Sequence, residues 1–140
     1  MFKGLPFGAD AFLRGFKGCL IREICLDHDA NDGQGELIIT FEMGKQLVIY
    51  DSPPKCCEHR YLHTSDDLSS FAGEKFVDLY CRGFKENEHG NDEANEIGFY
   101  VIKTDKGQFV LETHNDHNGY YGGFHIQFMG RVLPEFFDGM

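Results

Sequence analysis

The sequence has no tryptophan, only four prolines among its 140 residues, and few basic side chains compared with acidic ones. Its 13 Lys and Arg stand against 23 Asp and Glu, which gives a formal net charge of −10. This excess repels phosphate backbones and therefore argues against direct nucleic-acid binding. No apolar run approaches about 18 residues, so a membrane-spanning helix is not predicted. Residues 1–6 lack the apolar stretch of a secretory signal, and we expect a cytoplasmic location.

The five cysteines are an odd number, which argues against a disulfide framework. Cys19, Cys25 and Cys81 lie in apolar, strand-like runs, and we predict that all three are small buried hydrophobic residues. Cys56 and Cys57 are adjacent and follow a proline pair. Adjacent residues of an extended chain point to opposite sides, so these two thiols are poor joint ligands for one metal ion.

The residues that are abundant indicate an ordered β-rich chain. Hydrophobic residues make up 41% of the sequence, with 14 Phe and 17 Gly, which predicts an aromatic core and many turns. Alternating segments predict hairpins over 36–50 and 97–113, and tight turns of this kind enforce antiparallel pairing. The predicted fold is α+β and mainly antiparallel β. We expect a curved sheet or a small barrel of six to seven strands.

One short helix is predicted at about residues 65–71. Thr64 and Asp67 have the spacing of a capping box, with Asp in the place of Glu. Gly73 is suited to the position just after the end of the helix. Around this helix the chain divides into a Phe- and Gly-rich N-terminal appendage (1–17), a single β-rich domain (18–128) and a C-terminal tail (129–140).

An acidic stretch covers residues 85–96, where five acids stand against one Lys. It has no apolar periodicity and is predicted to be a solvated loop. Such a loop is often only a solvated surface, but it can also dock on the Lys and Arg of a partner protein. The candidate docking residues are Glu86, Glu88, Asp92, Glu93 and Glu96.

Two stretches, residues 56–67 and 113–124, contain most of the side chains that can carry chemistry. We predict both to be loops at strand or helix ends. Arg60 can hold a phosphate or carboxylate as a planar fork of donors, and Tyr and His can stack on a ligand. The alternative is structural, with Arg60 paired internally to Glu58, Asp66 or Asp67. The candidate ligand-binding residues are Arg60, Tyr61, His114, Asn115, His117, Asn118, Tyr120 and Tyr121.

The same stretches contain weak candidates for metal binding. These are Cys56, Cys57, His59, His114 and His117, but a Cys-x-x-Cys pair is missing and no cofactor is expected, zinc being the alternative. A thiol enzyme would need Cys57 beside His114 or His117, with Asp66 orienting the base. Nothing in the sequence shows that these groups meet, so no catalytic residue is assigned and enzymatic activity is not favoured.

Long motifs in these stretches resemble a known family. They are the run Cys56-Cys57-Glu58 with Arg60-Tyr61, the run Asp66-Asp67-Leu68, and the run from His114 to Phe124. They resemble small uncharacterised proteins of bacteriophages and prophages, with a looser likeness over residues 18–128. The resemblance implies a phage or prophage origin, hence the cytoplasm of a host cell, and it implies no activity.

Three functions remain open at this stage. The favoured one is a small accessory protein that binds and inhibits a basic, nucleic-acid-binding component of host defence, in an anti-CRISPR or other anti-defence role. The second is a protein that binds or sequesters a small nucleotide-like ligand. The third is a metal- or thiol-dependent enzyme. Exposed sheet edges and the many Phe residues are also compatible with a homodimer.

Overall fold

The computed structural model describes Leu5 and residues 8–54, 58–88, 94–117 and 123–133. Its eight strands form two four-stranded sheets, with the strand order β1-β2-β3-β8 in the first and β4-β7-β6-β5 in the second. Every strand pair is antiparallel. The mainly antiparallel fold is therefore confirmed, but over the described residues there are eight strands in two sheets and not one closed barrel. The strands are Ile21–Asp27, Glu36–Phe41, Lys45–Tyr50, His59–His63, Phe76–Glu88, Ala94–Thr104, Gln108–His117 and Gln127–Val132, numbered β1 to β8 in chain order.

Both predicted hairpins are present. β2 and β3 pair across a turn in which Gly44 has a φ of 88°, a left-handed conformation that glycine adopts without steric cost. β6 and β7 pair across residues 105–107, where the Thr104 hydroxyl accepts a hydrogen bond from Gly107 N at 2.9 Å. In both cases the alternating sequence pattern and the short turn fix the register.

The acidic stretch is where the prediction of a loop is wrong. β5 continues to Glu88 and β6 begins at Ala94, so most of the stretch belongs to a long β-hairpin in which Glu86 lies opposite Glu96. The strands were not predicted because polar residues at one end of this hairpin interrupt the apolar alternation that indicates a strand. Asp92 and Glu93, two of the candidate docking residues, lie outside the described residues.

The two sheets pack face to face through one hydrophobic core. The first sheet contributes residues such as Leu37, Ile39 and Phe41, and the second contributes Leu79 and Ile102, all fully buried. Burying a side chain of this size contributes about 1.5–3 kcal/mol, so the core is the main source of stability. We call the side of each sheet that faces this core its inner face.

The segments before and after the predicted domain 18–128 also form regular structure. A short α-helix, α1 (Ala9–Arg14), places Leu13 in the core. At the other end, β8 continues to Val132 and pairs with β3, so residues 129–132 of the predicted tail belong to the first sheet.

The predicted helix at 65–71 is shorter and begins differently. It is a 3₁₀ helix over Leu68–Phe71, and its N-cap is Asp67, whose carboxylate accepts a hydrogen bond from Ser69 N at 3.1 Å. Thr64 does not cap it: the Thr64 hydroxyl accepts a hydrogen bond from Asp66 N at 3.3 Å, before the helix, and donates to the carbonyl oxygen of Val110 at 2.8 Å. Gly73 follows the helix with a φ of 88°, as predicted.

The prediction that three cysteines are buried is also wrong in part. Cys25 is exposed, whereas Cys19 and Cys81 are half-buried, and all three are free thiols. Cys25 lies between Glu23 and Asp27 on an edge strand, where a residue of an apolar run is not necessarily buried. Within the described residues, no helix has the length and apolar character needed to cross a lipid bilayer.

Candidate functional site

Parts of the two chemistry-bearing stretches, residues 59–63 and 113–117, lie side by side as paired strands and not as the predicted loops. β4 and β7 pair with Arg60 opposite Asn115 and Tyr61 opposite His114. Because neighbouring residues of a strand point to opposite faces, each pair lies on a different side of the second sheet. The predicted ligand-binding residues that the structure describes are therefore neighbours on paired strands, but they form two groups on opposite faces of the sheet.

The inner group is centred on Arg60, which is only 2% exposed. Its Nη1 donates to Asp51 Oδ1 at 3.1 Å and Oδ2 at 3.0 Å. Its Nε and Nη2 donate to Glu58 at 3.2 and 3.0 Å. Burial acts to lower the pKa of Arg60, but the hydrogen bonds and charges of Glu58 and Asp51 outweigh it and raise the pKa. The guanidinium therefore stays charged, and its donors face two protein carboxylates.

The same two carboxylates accept further hydrogen bonds, Asp51 from the backbone and Glu58 from the side chain of Asn115. Asp51 also accepts hydrogen bonds from Ser52 N at 2.8 Å and His125 N at 2.9 Å. Asn115 Nδ2 donates to Glu58 Oε2 at 2.9 Å and to the carbonyl oxygen of Gly123 at 3.1 Å. This network joins β4, β7 and the segment that leads into β8. The contact of Arg60 with Glu58 agrees with the structural alternative for Arg60. The contact with Asp51, which lies nine residues before Arg60 and outside the stretch 56–67, was not predicted.

The outer group is a row of rings. Tyr61 stacks on His114 with ring centroids 4.6 Å apart and planes 8° apart. His59 and His63 flank this pair at 5.2 and 6.2 Å. Burial and the charges of Asp116 and Glu112 raise the pKa of Tyr61. His114 Nε2 lies 2.9 Å from Glu112 Oε1.

His117 lies on the inner face, with its Nε2 2.5 Å from Glu96 Oε1, which also accepts a hydrogen bond from Gly123 N at 3.1 Å. His114 and His117 therefore lie on opposite faces of the sheet and cannot bind one metal ion together. Over the part of the chain that the structure describes, no three His, Cys, Asp or Glu residues form a group suited to a metal. The candidates Cys56, Cys57, Asn118, Tyr120 and Tyr121 lie outside that part.

Asp66, which a thiol enzyme would need to orient its base, contacts the backbone of β7. Its Oδ2 accepts a hydrogen bond from Val110 N at 2.9 Å, which fastens the loop before the 3₁₀ helix to β7.

A cavity of about 610 Å³ opens between the sheets, where β5 and β8 are the neighbouring edges and α1 lies alongside. Five of the eleven lining residues carry a phenyl or phenol ring. Among the described residues that line it, there is no Asp, Glu, Lys or Arg, and the polar residues are Tyr100, His125 and Gln127. The lining residues are Leu5, Gly8, Ala9, Phe12, Phe84, Tyr100, Phe124, His125, Ile126, Gln127 and Phe128.

Phe84 is the most exposed of these rings, at 61%. It lies nearly parallel to Phe124, with planes 7° apart and centroids 5.7 Å apart. It also lies against Gly98, where a Cβ atom would come within 3.1 Å of Phe84 Cε1 and 2.9 Å of Thr113 Cγ2. Gly98 thus lets the ring lie close to the backbone of β6. Tyr100 also lines the cavity. Burial raises the pKa of Tyr100, with further contributions from Cys81 and Asp51, so the phenol stays protonated.

The sequence analysis did not select the rings of this cavity. The alternation of Phe124, Ile126 and Phe128 predicted a strand with one face on a core, yet Phe124 and Phe128 are only half-buried and line the cavity. Phe84 directly precedes the acidic stretch, and no sequence pattern assigned it to the inner face.

Fold and site together define a two-sheet antiparallel β protein with an aromatic cavity open at one side. A family model described as a domain of unknown function, DUF7448, matches residues 19–126. The chain therefore belongs to the DUF7448 family. Neither a curated protein nor a solved structure matches it.

Proposed function

We propose that the protein binds, and thereby sequesters, a small planar aromatic molecule of the nucleobase type in the cavity between the sheets. The observation that carries this proposal is Phe84, a large ring that is 61% exposed on the cavity wall. A base that stacks on such a ring gains about 1–3 kcal/mol, whatever its identity.

The size and chemistry of the cavity support the proposal. Its volume of about 610 Å³ falls within the usual range of roughly 300–1,000 Å³ for small-molecule sites. His125 and Gln127 contribute polar atoms to its lining, and such atoms can form hydrogen bonds with the polar edge of a heterocycle. An aromatic wall with a few polar groups favours a flat ligand with polar edges.

A ligand panel tests the proposal by thermal shift and titration calorimetry. The panel contains nucleosides, nucleotides and cyclic nucleotides, and a ligand present at 100 times its Kd adds about 2.7 kcal/mol of stability. Phe84→Ala is expected to weaken binding about tenfold, whereas Met43→Ala, an exposed apolar residue outside the cavity lining, leaves it unchanged. No response across the panel, or equal binding by Phe84→Ala, would contradict the proposal.

The acidic hairpin favours a second function, docking on a basic protein. Glu86 lies directly opposite Glu96 between β5 and β6, and like charges in this position repel. Glu86 is exposed, and Glu96 is half-buried beside His117. A Lys or Arg of a partner would relieve the repulsion. As part of this second proposal, the protein is of phage origin and inhibits a basic component of host defence.

Capture from a host extract tests this second proposal. The captured partner is expected to be basic, and association is expected to slow as salt rises. Glu86→Lys is expected to reduce association, while Glu42→Lys changes net charge equally at a turn of the first sheet. Equal loss with both variants would indicate a general charge effect and not docking by the hairpin.

A further inference from the structure

The outer face of the second sheet, turned away from the shared core, carries an apolar band that crosses all four strands. Tyr61, Val110, Ile97, Phe99 and Tyr80 lie on it, each half-buried, and Val101 on the same face is only 1% exposed. An antiparallel sheet that faces water on one side ordinarily alternates apolar inside with polar outside. This face departs from that pattern and has the aromatic character of an interface.

Its aromatic rings are already held in place. The Arg82 guanidinium lies over the ring of Phe99, 5.0 Å from its centroid, and Lys103 Nζ lies 5.5 Å from the centroid of Tyr80. Tyr61 is stacked on His114. Rings that are ordered before binding lose little conformational freedom when a partner packs against them.

The charges on this face are divided between its two halves. The half formed by β4 and β7 carries the acids Glu112 and Asp116. It also carries His59, His63 and His114, and His114 Nε2 lies 2.9 Å from Glu112 Oε1. The half formed by β5 and β6 carries Arg82, Lys85 and Lys103, with Asp78 as its acid. In a chain of net charge −10, such a basic half is unusual, and it lies beside an acidic half on the same surface.

We propose that this face binds the same face of a second copy of the chain. A two-fold axis that lies in the interface, parallel to the strands and between β6 and β7, sets β4 and β7 of one copy over β5 and β6 of the other. The acidic half of each copy then meets the basic half of its partner, and Phe99 and Ile97 lie near the centre. A two-fold interface needs such a self-complementary surface.

Sedimentation of the full chain tests the proposal. The wild-type protein is expected to dimerise with a Kd on the order of 10 μM or tighter. Phe99→Glu is expected to weaken dimerisation about 30-fold, as loss of a central aromatic contact does. Met43→Glu places the same charge on an exposed apolar residue of the first sheet and leaves the dimer intact. Circular dichroism verifies that both variants fold.

Charge-reversed variants sharpen the test. Arg82→Glu with Lys85→Glu makes both halves of the face acidic, and Glu112→Lys with Asp116→Lys makes both basic. Each double variant is expected to be monomeric alone, and their mixture is expected to form a heterodimer. A wild-type monomer at concentrations on the order of 100 μM, no effect of Phe99→Glu, or no heterodimer on mixing would overturn the proposal. These outcomes are independent of ligand binding in the cavity.

Discussion

The Arg60 guanidinium and the Asp51 carboxylate form an ion pair at 3.0 Å with each side chain only 1% exposed. Glu58 completes the cluster on the other side of the guanidinium, also out of contact with water. The cluster contains two carboxylates and one guanidinium, so Arg60 supplies its only positive charge. Removal of one partner from a buried pair leaves a charge without compensation, and that loss is much larger than the net value of the pair.

We therefore expect Arg60→Met to lower the free energy of unfolding by about 3–5 kcal/mol, because Asp51 and Glu58 would remain buried without a cation. Urea denaturation measures this change. The control is Arg131→Met, which removes the surface pair with Glu36 at 3.1 Å and is expected to cost about 0–1 kcal/mol. Equal effects of the two substitutions would show that the cluster is not buried as described.

Gly98→Ala is expected to lower stability by about 1–3 kcal/mol and to weaken binding in the cavity. The added methyl group would press on Thr113 and Phe84, which lie within 2.9 and 3.1 Å of its position. Denaturation and ligand titration measure the two effects. Gly107→Ala is the control, since a Cβ there meets its nearest neighbour at an ordinary 3.6 Å. A Gly98→Ala protein with wild-type stability would contradict the close approach.

Asp67 makes a pH-dependent contribution to stability. Hydrogen bonds from the hydroxyl and backbone N–H of Ser69 lower the pKa of Asp67 in the folded state. Its contribution is therefore complete above the ordinary Asp pKa of about 3.9 and is lost as pH falls through the lower folded value. Asp67→Ala should thus be less stable than wild type at pH 7, and the difference should shrink below pH 4.

Denaturation midpoints of both proteins between pH 7 and pH 2 measure this difference. Comparison with wild type cancels the titration of the other acids. A gap that stays constant over the whole range would contradict an ionised Asp67 cap.

Cys25 is exposed but should react slowly as a thiol. Partial burial and the charges of Glu23 and Asp27 raise the pKa of its thiol, so little thiolate is present near neutral pH. We expect alkylation of Cys25 at pH 7.5 to be slower than that of a free cysteine, and to accelerate in the double variant Glu23→Gln with Asp27→Asn. Peptide mapping by mass spectrometry resolves this cysteine from the others.

Sequence patterns predicted the hairpins because alternation and turn glycines act locally. The β2–β3 hairpin with Gly44 follows from neighbouring residues alone. The Arg60–Asp51 pair does not, because it depends on how the end of β3 meets β4 across the two sheets. The role of Phe84 was equally hidden, since its direction depends on an irregularity in β5 and not on a repeating pattern.

That irregularity is the register shift between Cys81 and Gly83, where β5 contains one residue more than the paired segment of β6. Without it, strict alternation would turn Phe84 outward and Lys85 inward. A single inserted residue therefore determines two surfaces, because it places the Phe84 ring at the cavity and the Lys85 side chain on the opposite face. A deletion of one residue here would exchange them, so the cavity and the proposed dimer face should change together as the family diverges.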